Sequence, residues 1–405
     1  LLYGSPSLGD QSIPAQILKF KLPIRGEEGS QVLKREGEIR IPSGCAIAAI
    51  INRNSERFNG STIIASIATM HKRSNGLGGG FAAYGIYPQY RDYYALHIIY
   101  DDVGAQQMCE RYLQHHFSIK EREPVPVRYT RKIANAPLIW RYFALPREDS
   151  LSRQQLGEED FVARVVMTIN SDLGGAFVVS SGKDMAAFKG EGYPEDIGEF
   201  FRLEEYQAYL WTAHGRFPTN TPGWWGGAHP FTLLNWSVVH NGEISSYSTN
   251  RRYLEMYGYK ISLQTDTEVI AYAFDFLMRR EGLSLEDTID VIAAPFWSRM
   301  DQEQQARLRR KYASLLLNGP FSIIVATNNG LIAVNDRIKL RPLVAATRNE
   351  YLYVASEESA IRAVAPVLDR TWSPGGGEPI IGLLYNQQGL LERLPSGLQI
   401  NARST

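Results

Sequence analysis

Short apolar runs separated by polar turns dominate the chain and predict a mixture of strands and helices. The run from Cys45 to Ile51 is apolar throughout, as is typical of a strand covered on both faces. A second run, Leu233 to Val239, predicts another buried strand. Between Ser61 and Arg73, apolar residues recur at the spacing of one helix face, and a helix is expected there.

The same patterns predict the remaining elements. Helices are expected over 103–117, 248–257, 267–280, 283–293, 302–317 and 359–365. Strands are expected over 81–87, 93–100, 209–217, 232–239, 321–326, 331–335, 343–346 and 351–355. The segments 161–169 and 176–181 fit either two strands or a helix followed by a strand.

The composition and charge of the chain limit the classes of protein to which it can belong. A chain of 405 residues, 44% hydrophobic and 21% charged, is ordinary for a globular enzyme of one large or two smaller domains. The formal net charge of zero argues against a nucleic-acid partner. No apolar run is long enough to cross a bilayer, and the first residues lack the pattern of a secretion signal, so we expect a cytoplasmic location. Two cysteines, Cys45 and Cys109, cannot hold an iron–sulfur cluster.

Four short motifs carry the candidate chemistry. The pair Asn241-Gly242 follows an apolar run, and such a pair is first of all a turn signal. Its neighbours in the sequence indicate a catalytic site in addition. In chain order, the motifs are Ser43-Gly44-Cys45-Ala46-Ile47, Arg216-Phe217-Pro218-Thr219, His240-Asn241-Gly242-Glu243 and Thr265-Asp266-Thr267-Glu268.

Together these motifs resemble those of the class II glutamine amidotransferases, whose glutaminase domain is an N-terminal-nucleophile hydrolase. The resemblance covers roughly residues 45–379 and implies an α/β fold of four layers, with two antiparallel sheets stacked between helices. The segments 79–88 and 221–230 are similar to the stand-alone glutaminase chain of archaeal-type glutamate synthases or of N-methylglutamate synthases.

The resemblance implies that Cys45 is the nucleophile and that its own α-amino group, freed by cleavage before it, is the base. Three alternatives stand for the leader, residues 1–44: it is removed, this form is unprocessed, or the leader is kept and the glutaminase is weak or inactive. Without the other motifs, Cys45 would be interpreted as a small buried apolar residue.

The other site residues also follow from the resemblance. Asn241 and Gly242 would form the oxyanion hole, and Arg73 would position the nucleophile. Arg216 would bind the glutamine α-carboxylate, Asp266 the α-ammonium, and Thr219 the same amino acid.

Simpler interpretations exist for several of these residues. Arg216 could form a surface ion pair, and Asp266 could cap a helix. We interpret Asp336, Arg337 and Arg341 as structural ion pairs.

The domain organisation expected from the resemblance is a leader, a glutaminase domain over 45–379 and a C-terminal tail over 380–405. The stretch 120–206 is longer than its family equivalent. It would add either a flap or partner-docking surface, or an edge elaboration without a role.

The expected function is hydrolysis of L-glutamine to glutamate and ammonia. No metal or cofactor is expected on this chain. FMN and iron–sulfur clusters would sit on a separate synthase subunit that accepts the ammonia, in a hetero-oligomer. The alternatives are a weak or inactive subunit with an assembly or glutamine-sensing role, and the glutaminase of another ammonia-using synthase such as N-methylglutamate synthase.

Overall fold

A computed structural model describes residues 44–133, 135–217, 223–296 and 301–386. The strands, in chain order, are β1 (Ala46–Asn52), β2 (Phe58–Asn59), β3 (Gly79–Tyr84), β4 (Tyr94–Tyr100), β5 (Phe117–Pro124), β6 (Leu138–Pro146), β7 (Ala176–Ser180), β8 (Met185–Gly190), β9 (Gln207–Ala208), β10 (Leu210–Gly215), β11 (Phe231–Leu233), β12 (Trp236–Gly242), β13 (Phe321–Thr327), β14 (Gly330–Asn335), β15 (Val344–Arg348), β16 (Tyr351–Ala355), β17 (Arg370–Trp372) and β18 (Ile380–Leu383). The helices are α1 (Ser61–Ala68), α2 (Val103–His116), α3 (Glu148–Gln154), α4 (Glu158–Asp172), α5 (Pro194–Phe200), α6 (Tyr247–Met256), α7 (Asp266–Phe274), α8 (Leu285–Ala293), α9 (Gln302–Lys311) and α10 (Glu358–Arg362).

The strand β1 lies in the middle of a seven-stranded antiparallel sheet with the order β17-β15-β16-β1-β10-β3-β8. Every residue of β1 is buried, which explains why its sequence is apolar without alternation. Its two faces contact different interiors: Ala48 and Ile50 pack with the helices outside the sheet, whereas Ile47, Ala49 and Ile51 face a second sheet.

The second sheet is five-stranded, with the order β11-β12-β13-β14-β18. Val239, Ile324 and Ala333 from this sheet pack against β1, so the two sheets enclose one apolar layer. Outside the first sheet lie α1, α5 and α10, and outside the second lie α6, α7 and α8. The predicted four-layer α/β architecture is confirmed.

A third, four-stranded sheet with the order β5-β6-β4-β7 extends this sandwich. Its apolar residues, among them Leu96, Ile98 and Tyr142, share a continuous core with α2, α4 and α7. The stretch 120–206 supplies β6 and β7, and it also supplies β8 at the edge of the first sheet. This stretch is therefore built into two of the sheets.

Several predicted boundaries differ from the structure. The expected single strand over 232–239 is a hairpin of β11 and β12, because Leu234 turns the chain with a φ of 50°. The helix expected over 61–73 ends at Ala68 and is followed by a separate 3₁₀ turn, His71–Arg73. A π-helical turn, Asp275–Arg280, replaces the last part of the helix expected over 267–280. Within the described ranges, no helix is long and apolar enough to span a membrane.

Candidate active site

Cys45 lies immediately before β1, where Ala46 pairs with Gly215 of β10. The backbone N–H of Phe217, two residues past β10, donates a hydrogen bond to the Cys45 Sγ at 3.3 Å. Burial raises the pKa of the Cys45 thiol, and the Phe217 N–H together with the guanidinium groups of Arg216 and Arg341 offsets only part of that rise. The thiol therefore needs a base close by to become a nucleophile at neutral pH.

Arg73 holds the backbone of the nucleophile. The 3₁₀ turn after α1 places its Nε 3.3 Å from the Cys45 carbonyl oxygen, to which it donates. Its Nη1 donates to Glu357 Oε1 at 2.8 Å, just before α10. Glu357 was missed in the sequence, where a Ser-Glu-Glu run before a helix indicates only a helix start.

Asn241 and Gly242 end β12, and the Asn241 side chain faces Gly44, the residue before the nucleophile. A Cβ placed on Gly44 would lie 3.2 Å from Asn241 Oδ1 and 3.7 Å from Arg73 Nη2. The Asn241 side chain is fully buried, and neither Nδ2 nor Oδ1 has a hydrogen-bond partner among the residues that the structure describes. A buried amide without partners is costly, unless it serves a group that arrives from outside.

Gly242 occupies a position that only glycine can take. Its φ is 152°, and a Cβ there would lie 2.0 Å from the Pro320 carbonyl oxygen of the neighbouring segment. Glycine accepts both the backbone conformation and the close approach.

Arg216 lies next to the thiol at the end of β10. Its backbone is fixed on both sides, because its N–H donates to Gly78 O at 2.8 Å and its carbonyl accepts from the Ser74 hydroxyl at 3.1 Å. Burial lowers the pKa of the Arg216 guanidinium, while the nearby Cys45 and Asp266 oppose that shift. The structure thus brings Arg216 into electrostatic contact with both. Thr219 lies outside the described residues.

Asp266 is the first residue of α7, but it is not the cap of that helix. Thr265 caps α7 by accepting the Thr267 N–H at 3.1 Å, so the helix-cap interpretation of Asp266 was wrong. The Asp266 carboxylate instead accepts the Ile244 N–H at 3.0 Å, two residues beyond β12. Burial alone would raise the pKa of this carboxyl, but the His240 ring and the Ile244 N–H outweigh burial and hold the pKa below its usual range. Asp266 is therefore ionised at neutral pH.

A buried histidine cluster beneath Asp266 was not recognised in the sequence, where the histidines look scattered. The rings of His214 and His229 stack with centroids 3.9 Å apart, and His214 Nε2 lies 3.0 Å from the His240 carbonyl oxygen. Burial lowers the pKa of His214 to about 3 and that of His229 well below its ordinary value, so both rings are neutral.

The loop after β14 also reaches the site. Asp336 accepts the backbone N–H groups of Phe321, Ile338 and Leu340, which fixes the loop. A Cβ on Gly44 would lie 2.9 Å from Arg341 Nη1, at the end of this loop. Among the described residues Asp336, Arg337 and Arg341 form no ion pair, and their interpretation as structural ion pairs stays a prediction.

The assembled groups suit one kind of chemistry. A thiol, an amide without a partner in the described part of the chain, a cation and an anion surround the start of β1. Such a set can bind an α-amino acid by its two opposite charges and accept an acyl group on sulfur. Within the described ranges, no set of three or more histidine, cysteine or acidic side chains could hold a metal ion.

Comparison with known proteins identifies relatives over much of the chain. An uncharacterized protein of Archaeoglobus fulgidus is 50% identical over 353 residues, which are 85% of this chain and 93% of that protein. An amidophosphoribosyltransferase of Methanocaldococcus jannaschii is 27% identical over 206 residues, which are 50% of this chain but only 39% of that enzyme.

Among solved structures, the glutamine phosphoribosylpyrophosphate amidotransferase of Bacillus subtilis aligns with 83% of this chain and 47% of its own, at 15% identity and a TM-score of 0.42. The family model of the class-II glutamine amidotransferases matches residues 129–368, more than half of the sequence. The chain belongs to the class-II glutamine amidotransferases.

Proposed function

We propose that this chain hydrolyses L-glutamine to glutamate and ammonia, with Cys45 as the nucleophile. The observation that carries the proposal is the buried amide of Asn241, which has no partner among the described residues and lies beside the segment that holds the Cys45 thiol. The Nδ2 group of this amide is a donor, and a donor suits the negative charge that develops on the oxygen of an attacked carboxamide.

The chemistry proceeds by acyl transfer to sulfur. The Cys45 thiol gives its proton to a base, and the sulfur bonds to the carboxamide carbon of glutamine. Asn241 Nδ2 and the Gly242 N–H stabilise the resulting oxyanion. The carbon–nitrogen bond then breaks, the base returns the proton to the leaving ammonia, and water hydrolyses the thioester to glutamate.

Substrate selection falls to the charged pair. Arg216 donates two parallel hydrogen bonds to the α-carboxylate, and Asp266 accepts hydrogen bonds from the α-ammonium. An amide substrate that lacks either charged group therefore binds weakly. The family resemblance implies that Thr219 binds the same amino acid.

The base is the α-amino group of Cys45, which exists only after the Gly44–Cys45 bond is cleaved. An α-amine has a pKa of about 7.7–8.0, close to working pH. Within the chain that amine is a peptide nitrogen. The second candidate is an unprocessed and inactive chain that serves assembly or glutamine sensing.

Intact mass and N-terminal sequencing of the purified protein, combined with a glutamine-hydrolysis assay, test both candidates. We expect a chain that starts at Cys45 and releases glutamate, and we expect Cys45→Ala to abolish that release. A persistent leader with no hydrolysis would instead support the inactive candidate.

The ammonia would pass to a separate subunit of the glutamate synthase type, in a hetero-oligomer, where FMN and iron–sulfur clusters would reside. Support comes from the resemblance of segments 79–88 and 221–230. An N-methylglutamate synthase is the alternative acceptor. Reconstitution with each candidate synthase, followed by detection of glutamate or N-methylglutamate, distinguishes them.

A further inference from the structure

The hydroxyl of Thr267 sits at the junction of three side chains beneath the proposed substrate clamp. Its Oγ1 lies 2.8 Å from His229 Nε2, 3.2 Å from His240 Nδ1 and 3.2 Å from Asp266 Oδ1. Thr267 itself is fully buried. It therefore cannot be explained as a solvated polar residue.

Hydrogen-bonding capacity fixes how the four groups fit together. A hydroxyl donates one hydrogen and accepts two, whereas an ionised carboxylate only accepts. When the Thr267 hydroxyl donates to Asp266 Oδ1, its lone pairs accept from His229 Nε2–H and His240 Nδ1–H. All three contacts of the Thr267 hydroxyl are then satisfied.

The two oxygens of Asp266 are held from different sides. Oδ2 accepts the Ile244 N–H at 3.0 Å, and this bond alone leaves the carboxylate free to rotate about it. Oδ1 is held by Thr267 at 3.2 Å, while His240 Nδ1 stands farther off at 3.6 Å. The orientation of the carboxylate therefore depends on the Thr267 hydroxyl together with the more distant His240 ring.

The support for Thr267 is rigid. The His229 ring is stacked on His214 at an interplanar angle of 19°, and His214 Nε2 is anchored to the His240 carbonyl oxygen. His214 and His229 are buried, as is His240. A side chain held by packed and buried neighbours keeps its direction better than an exposed one.

We propose that Thr267, supported by His229 and His240, positions the Asp266 carboxylate and thereby sets the affinity of the site for the α-ammonium group of its substrate. This inference rests on the proposed function. Thr267 is a positioning residue, because no contact joins it to Cys45 or Asn241 within the described part of the chain. Its loss should weaken binding and leave the chemical step intact.

Three variants test the inference in the purified protein whose first residue is Cys45. Thr267→Val removes the hydroxyl at nearly constant volume, and Thr267→Ser retains it. Thr212→Val is the matched control, since Thr212 is also buried and its Oγ1 has no partner among the described residues. We expect Thr267→Val to raise the KM for glutamine about tenfold, the equivalent of one hydrogen bond to a charged group, with kcat within about twofold.

A ligand without the α-amino group separates positioning from a general structural effect. The inhibition constant of 4-carbamoylbutanoate, which is glutamine lacking that group, should be unchanged by Thr267→Val. Thr267→Ser and Thr212→Val should keep the wild-type KM for glutamine.

Two results would overturn the inference: an unchanged KM for glutamine in Thr267→Val, or equal weakening of glutamine and 4-carbamoylbutanoate. Failure of the wild-type protein with a free Cys45 to hydrolyse glutamine would instead overturn the proposed function itself.

Discussion

Asn241 is the residue whose environment is hardest to explain by folding alone. It is fully buried, and both polar atoms of its amide lack partners in the described part of the chain. Asn335 shares this property, and it lies in the same row of the sheet, because Ser322 pairs with Asn241 on one side and with Asn335 on the other. The two amides differ in that Asn241 faces Gly44.

We expect Asn241→Ala to lower kcat for glutamine hydrolysis by about 10²–10³, since it removes one oxyanion donor. Asn335→Ala is the control and should keep kcat within about threefold. Steady-state kinetics on folded variants measure both. Equal loss in the two variants would mean that packing of the sheet, and not oxyanion stabilisation, is responsible.

Arg216→Lys should raise the KM for glutamine by about tenfold or more, because an ammonium cannot fork onto a carboxylate as a guanidinium does. The control is Arg337→Lys, an exposed arginine in the loop after β14, which should leave KM unchanged. Kinetics over a range of glutamine concentrations give both values. A wild-type KM in Arg216→Lys would contradict the carboxylate role.

At the scale of elements, the strands that carry the site were largely predictable. The apolar run of β1 is typical of a covered strand. The family resemblance of the four motifs implied that Arg216, Asn241 and Asp266 lie near Cys45. The histidine cluster and Glu357 could not be found this way, because contacts between residues far apart in sequence depend on strand register and loop path.

Some elements escaped prediction for local reasons. The strand β5 is polar and largely exposed, so its sequence carries no apolar alternation. The β11–β12 hairpin turns at Leu234, a residue type that rarely adopts a positive φ. Lys339 likewise takes a φ of 55°.

Gly242→Ala should abolish glutamine hydrolysis, because the added Cβ would meet the Pro320 carbonyl oxygen at 2.0 Å and displace the end of β12. Gly258→Ala is the matched control: Gly258 also has a positive φ, of 86°, but beyond its chain neighbours no atom lies within 4 Å of the position that an added Cβ would take. It should lose only about 1 kcal/mol of stability and keep its activity. Comparable activity in the two variants would show that the β12 end tolerates displacement.

At the scale of the whole molecule, buried histidines link stability to pH. Burial lowers the pKa of His97 and of His214 to about 3, whereas the unfolded chain titrates near 6.5. Below pH 6.5 these histidines therefore bind protons in the unfolded state but not in the native state. The free energy of unfolding is fully retained above pH 6.5 and falls as the pH drops toward 3.

Urea unfolding at several values between pH 7.5 and 4.5 should show this fall. Each such histidine adds a slope of up to about 1.4 kcal/mol per pH unit. His97→Gln should reduce the slope by the contribution of one buried histidine. The exposed His115→Gln should leave the slope unchanged. An unaltered slope in His97→Gln would mean that His97 is already charged in the native protein.

The four-stranded sheet shares its apolar interior with α7 and the five-stranded sheet, because Leu96, Ile270 and Val238 belong to one buried cluster. Regions with a common interior open together. Backbone amides in β4 and β12 should therefore exchange with deuterium at similar protection, and a ligand that tightens α7 through Asp266 should slow exchange in the distant sheet as well.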